Sequence, residues 1–113
     1  MITQSELDQF NGTEHHYRHW TGMLYTDGVK FLADKAKAYW LLDIVASYQH
    51  QKKVRNEEFQ VWKLVKTGSE AIVILEDGND NRILSQKIEY TDFPLESVSL
   101  WLQNGVLILP SEY

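Results

Sequence analysis

The apolar residues of this chain change their period near residue 59, and no other feature constrains the fold as much. Upstream, Val29, Leu32, Ala33 and Ala36 recur at helical spacing, with Lys30, Asp34, Lys35 and Lys37 between them. That is the pattern of a helix with one buried face. Downstream, Phe59 to Lys66 and Ala71 to Glu76 are rich in β-branched and aromatic residues, which suit pleated strands. Helices first and strands afterwards predict an α+β domain. At 113 residues the chain fits a single domain, 1–113.

The remaining elements follow from local signals. Thr3 and Glu6 have capping-box spacing, and Leu7 and Phe10 share a face, so a short helix opens the chain and ends by Gly12. Residues 13–20 have no clear period and read as a loop or irregular strand. Thr26 or Asp27 caps the next helix. Its pattern slips at Lys37-Ala38, and a fresh apolar face runs through Tyr39, Trp40, Ile44, Ala46 and Tyr48. Two helices, about 27–36 and 39–50, fit better than one bent helix. The polar stretch Gln49 to Glu58 is expected to be a mobile surface connection. Gly68-Ser69 and Asp77 to Asn81 read as hairpin turns, with a third strand from Ile83 to Thr91. After Pro94, the spacing of Leu95, Val98, Trp101 and Leu102 predicts a short amphipathic helix closed by Asn104-Gly105. Val106 to Leu109 would supply a last strand. The expected architecture is N-terminal helices packed on an antiparallel β-meander of three to four strands, with a short C-terminal helix before the last strand.

The runs Gly12 to His19, Leu24 to Lys30, Ala38 to Asp43, Glu58 to Leu64, Ile88 to Leu95 and Leu109 to Tyr113 resemble a family of small uncharacterised bacterial proteins. The resemblance covers nearly the whole chain. It implies a stand-alone domain of unknown function, associated with cyanobacteria and mobile elements, and brings no site residues with it.

Composition removes several functional classes. With no cysteine, disulfides, thiolate metal sites and cysteine nucleophiles are excluded. The first residues lack a secretory pattern and the apolar runs are too short to span a bilayer, so a cytoplasmic location away from membranes is expected. The net charge of −5 has the wrong sign for a general DNA binder. It is unevenly spread, with eight basic and four acidic groups in residues 30–66 but two basic and eight acidic groups in residues 67–113. Such asymmetry can orient an encounter with a charged partner. The run Lys52-Lys53-Val54-Arg55 has no interleaved aromatic residue and is followed by Glu57-Glu58, so nucleic acid is an unfavoured partner. Asp77 to Asn81 lacks the glycine and the final glutamate of a calcium loop, and no phosphate-binding glycine motif occurs.

Two readings of the segment from Glu14 to Asp27 remain. His15, His16 and His19 are candidate metal ligands, and His16, His19 and Asp27 are candidate acid–base groups. On a helix, however, Glu14 and His15 would point about 100° apart, and the fourth histidine, His50, lies in the polar connection. No cofactor is expected. The aromatic residues Tyr17, Trp20 and Tyr25 are candidate binding residues, because aromatics with polar tips bury large area at small entropic cost. The favoured reading is a non-enzymatic interaction module that binds a macromolecular partner, most simply a protein, through His15 to Asp27. The alternative is a metal-dependent or acid–base enzyme built on the histidines. Homo-oligomerisation through a sheet edge, with Val106 to Leu109 as the candidate strand, is compatible with both.

Overall fold

The computed structural model describes residues 2–113. Helix α1 (Gln4–Asp8) carries the reciprocal Thr3–Glu6 capping box. Two short strands follow, β1 (His16–Arg18) and β2 (Leu24–Thr26). Helices α2 (Asp27–Ala36), α3 (Tyr39–Tyr48) and α4 (Lys52–Arg55) come next. The second half contains β3 (Phe59–Thr67), β4 (Glu70–Glu76), β5 (Arg82–Ile88), β6 (Ser97–Gln103) and β7 (Val106–Ile108). A 3-10 turn at Pro110–Glu112 ends the described structure.

The class is α+β, but the sheet corrects the expected three- to four-stranded antiparallel meander. One mixed seven-stranded sheet has the order β1-β2-β7-β6-β3-β4-β5. Its single parallel pairing joins β2 to β7. β1 falls within the stretch read as a loop or irregular strand, and β2 carries no strand signal, because three residues are too few to display alternation. The expected C-terminal helix is strand β6, paired with β3 from Phe59↔Gln103 to Val65↔Ser97. Leu95, Val98, Trp101 and Leu102 happen to be spaced like a helix face, but the buried residues are Val98, Leu100 and Leu102, at period two. Asn104 and Gly105 have φ of 54° and 77° and make the two-residue turn from β6 to β7 rather than a helix end. Positive φ at both central positions is the type I′ signature that Asn-Gly favours. β7 lies between β2 and β6, so it is not a sheet edge; the edges are β1 and β5.

The break between α2 and α3 is sharp. Lys37 takes a left-handed conformation, φ 53°, and the Ala38 amide donates back to the Ala33 carbonyl at 2.9 Å. The stretch from Gln49 to Glu58, expected to be a mobile connection, contains α4 and fully buries Val54.

Helices α2 and α3 cover one face of the sheet. Val29, Leu32, Leu42 and Val45 meet Trp62, Leu64, Val73, Leu75, Leu100 and Leu107 in one core. The opposite face carries no helix. Among the described residues, no helix is long and apolar enough to cross a membrane.

Candidate functional site

The segment from residue 13 to residue 27 divides into two structures with different roles. The first is organised by Asp27, whose backbone starts α2. Its Oδ2 accepts from the amides of Glu14 (3.0 Å) and His15 (3.4 Å), and its Oδ1 from the Tyr17 hydroxyl (3.0 Å). The Asp27 amide donates to Thr13 Oγ1 at 2.9 Å. These donors, the Glu14 amide foremost, hold the Asp27 carboxyl below its ordinary value of 3.8. The same bond to Asp27 raises the Tyr17 hydroxyl above 10.0. Tyr17 also stacks on Tyr25, with ring centroids 5.7 Å apart and planes inclined by 27°, and Lys30 Nζ lies 5.5 Å from its ring. Tyr25 is buried. Asp27 is thus a clamp on the incoming loop, and the two tyrosines are engaged within the fold.

His15 and His16 are exposed. His15 Nδ1 stands 3.9 Å from Asp27 Oδ1, beyond hydrogen-bonding distance. The hydrogen bonds of Asp27 go to residues 14, 15 and 17, not to the His16 ring. Among the described residues, no three His, Asp or Glu side chains are grouped so as to hold a metal ion.

The second structure is the tight loop from His19 to Met23. The His19 amide donates to Met23 O at 2.7 Å and the Gly22 amide to His19 O at 2.8 Å, with Gly22 at φ 101°. His19 is buried and both of its ring nitrogens are engaged. Nδ1 lies 3.2 Å from the Thr21 amide and 2.8 Å from Thr21 Oγ1. Nε2 lies 2.7 Å from Asp43 Oδ1 on α3. Because an amide only donates, Nδ1 is the acceptor, so Nε2 carries the proton and gives it to Asp43. Sequence reasoning missed this pairing. Asp43 sits in the middle of a helix, 24 residues from His19, and no local pattern links the two.

Pinned in this way, the loop presents Trp20 to solvent. Trp20 is 85% exposed, and its ring centroid is 5.4 Å from that of His19. It stands on the rim of an open groove of about 980 Å³. Met23, Ala46 and Leu102 give the groove apolar surface; Thr21, Ser47 and Asn104 give it hydrogen-bonding groups. Arg55, Glu57 and Glu58 supply charges of both signs, and His50 adds an imidazole. One wall is fixed by Gln60, buried under α4, whose amide exchanges hydrogen bonds with Gln49, both at 2.9 Å. Of the three candidate aromatics, Trp20 alone has a free face, and the groove is assembled from four separate parts of the chain.

No curated protein and no solved structure matches the chain. A family model described as a family of unknown function (DUF6876) matches residues 1–113, and the protein belongs to that family.

Proposed function

We propose that the protein is a small cytoplasmic binding module that takes up an extended segment of a partner protein in the groove beside Trp20. The observation that carries this reading is a fully presented indole on a pinned loop at the rim of an open groove of about 980 Å³. Tryptophan is enriched among residues that dominate binding energy. Holding the loop in advance removes part of the ordering cost of association. Met23, Ala46 and Leu102 suit one apolar side chain of the partner, and Thr21, Ser47 and Asn104 suit its backbone. A photo-crosslinking residue placed at Ser47 in the native host tests this. A defined partner should be trapped in the Trp20 background and lost with Trp20→Ala, while circular dichroism stays unchanged. An identical crosslinking pattern with and without Trp20 refutes the reading.

A second reading, an acid–base enzyme, has one observation in its favour. Asp43, His19 and the Thr21 hydroxyl form a chain with 2.7 and 2.8 Å links at the groove. There, His19 Nδ1 could take a proton from that hydroxyl or from a water, with Asp43 stabilising the imidazolium. The Thr21 amide already occupies Nδ1, which favours a structural role. Hydrolysis of an activated acyl ester that disappears in both His19→Asn and Thr21→Val would reverse this ranking.

A further inference from the structure

We infer that Asn11-Gly12 is a site of spontaneous covalent modification, where the Asn11 side chain loses ammonia while the chain stays folded. Four of the six glycines follow an asparagine or an aspartate: Asn11-Gly12, Asp27-Gly28, Asp77-Gly78 and Asn104-Gly105. In such pairs the glycine nitrogen can attack the preceding side-chain carbonyl carbon, because no Cβ on the glycine hinders the approach. At Asn11 the new bond joins Gly12 N to Asn11 Cγ. The Cγ–Nδ2 bond breaks, and the departing nitrogen takes up the Gly12 amide proton and leaves as ammonia. Water, the only co-reactant, then opens the five-membered imide. Opening at Cγ leaves an aspartate at position 11. Opening at the main-chain carbonyl leaves an isoaspartate, whose backbone runs through the former side chain.

Ring closure requires rotation of the main chain between the two residues and a side chain free to turn, and the fold grants these unequally. Asp27 and Asp77 are held as carboxylates, which are poor electrophiles. Asp27 accepts from the Glu14 amide and the Tyr17 hydroxyl, each at 3.0 Å. The nitrogen that would attack it, that of Gly28, donates to Glu112 Oε2 at 3.2 Å. Asp77 Oδ1 accepts from the amides of Asn79 (2.8 Å) and Asn81 (3.0 Å). Asn104 is exposed, but it sits at φ 54° in the two-residue turn, and the Gly105 carbonyl accepts from the Leu24 amide at 3.0 Å. Rotation there would pull apart the junction of β6, β7 and β2. Asn11 and Gly12 are exposed and lie outside every helix and strand. Among the described residues, neither the Asn11 side chain nor the Gly12 amide makes a hydrogen bond. A Cβ at Gly12 would meet nothing within 4 Å, so no neighbour blocks the rotation. Either product adds a negative group to a net charge of −5. It does so two residues before Thr13, whose hydroxyl accepts from the Asp27 amide, at the entrance to the Asp27 clamp.

The test is to age the purified protein at mildly alkaline pH, once folded and once in strong urea, and to map its peptides by mass spectrometry. Isoaspartate is counted separately with an isoaspartyl methyltransferase and a labelled methyl donor. Asn104 must wait for its turn to open locally, so in the folded protein Asn11 should gain the amide-to-acid mass change about tenfold faster. In urea the two Asn-Gly pairs should react at similar rates, because neither is then held in place. Gly12→Ala should slow the reaction at Asn11 at least tenfold with the circular dichroism spectrum unchanged, since the open surroundings admit a methyl group. An Asn104 that reacts as fast as Asn11 in the folded protein overturns the inference. An Asn11 that reacts in urea but stays intact in the folded protein overturns it equally.

Discussion

His19 Nε2 lies 2.7 Å from Asp43 Oδ1, and this bond ties an irregular loop to a helix 24 residues further along the chain. The two ends differ in their surroundings. The His19 side chain is 6% exposed, whereas that of Asp43 is 59% exposed. Truncating the buried end removes packing as well as the links to Thr21 and Asp43, so His19→Ala should cost about 1–2 kcal/mol. Asp43→Asn keeps an acceptor oxygen at a well-solvated position and should cost less than about 1 kcal/mol. Urea denaturation of the two variants measures both. A His19→Ala protein as stable as the parent would mean that the loop presenting Trp20 is held by something else.

Gly28 is in contact with the far end of the chain. A Cβ there would meet Leu109 Cδ1 at 2.7 Å and Glu112 Cδ at 2.8 Å. Glu112 has little freedom to withdraw, because it accepts from the Thr26 hydroxyl, the Gly28 amide (3.2 Å) and the Leu109 amide (2.9 Å). Its carboxylate also sits favourably at the N-terminus of α2. Helix propensity alone would make Gly28→Ala stabilising by up to about 1 kcal/mol. Overpacking should win, for a net loss of about 1–3 kcal/mol in thermal or urea unfolding. Combined with Glu112→Ala the loss should be less than additive, because the clash is partly relieved. A stabilised Gly28→Ala protein would disprove the close approach.

Gln60 is a polar residue on the core face of β3, 3% exposed. Its Oε1 accepts from Trp62 Nε1 at 2.9 Å, and its Nε2 donates to the Val54 carbonyl at 3.0 Å. Gln60→Leu preserves size but orphans the indole N–H and the carbonyl, both deep in the fold. About 1–3 kcal/mol should be lost. Hydrogen exchange should also accelerate at residues 52–56 more than at the centre of β3, because Gln60 is what holds α4 down. Uniform acceleration would argue against that local role.

What the sequence discloses follows from the range of each interaction. Long elements announce themselves: the apolar face of Val29, Leu32, Ala33 and Ala36 marks α2, and the β-branched runs mark β3 and β4. Asn104-Gly105 carries two meanings, helix end and hairpin turn, and only the pairing of β6 with β3 decides between them. The run from Gln49 to Glu58 looked solvated because its anchor, Val54, is a single apolar residue held from below by Gln60. Of the three candidate aromatics, Trp20 is 85% exposed, which its sequence neighbourhood does not by itself determine. Tyr17, Tyr25 and Asp27 looked equally available, but their partners are each other, a relationship of spatial neighbours that no spacing reveals. The groove is further from reach, since its walls come from residues 20–23, 46–50, 55–60 and 102–105.

Asp27 makes the fold sensitive to acid in a defined direction. Its carboxylate is stabilised by the Glu14 amide first, then by the Tyr17 hydroxyl, the Thr13 contact and the His15 amide, so its folded value lies below the ordinary 3.8. The folded state therefore prefers the ionised form more than the unfolded chain does. That contribution is complete above pH 3.8 and is lost as pH falls through the depressed folded value. Asp34, held down by Lys30 and Tyr39, and Asp77, held down by the amides and side chain of Asn81 and Asn79, act in the same sense. The contribution of these three aspartates to stability, read by urea unfolding, should be constant above about pH 5 and decline below it. Asp27→Asn should lower the plateau and make the acid decline shallower, because one proton-linked group has been removed. The first effect to appear should be faster amide exchange at Glu14 and His15, the two donors that lose a charged acceptor. An Asp27→Asn protein whose stability follows pH as steeply as the parent would show that the clamp contributes nothing to the acid response.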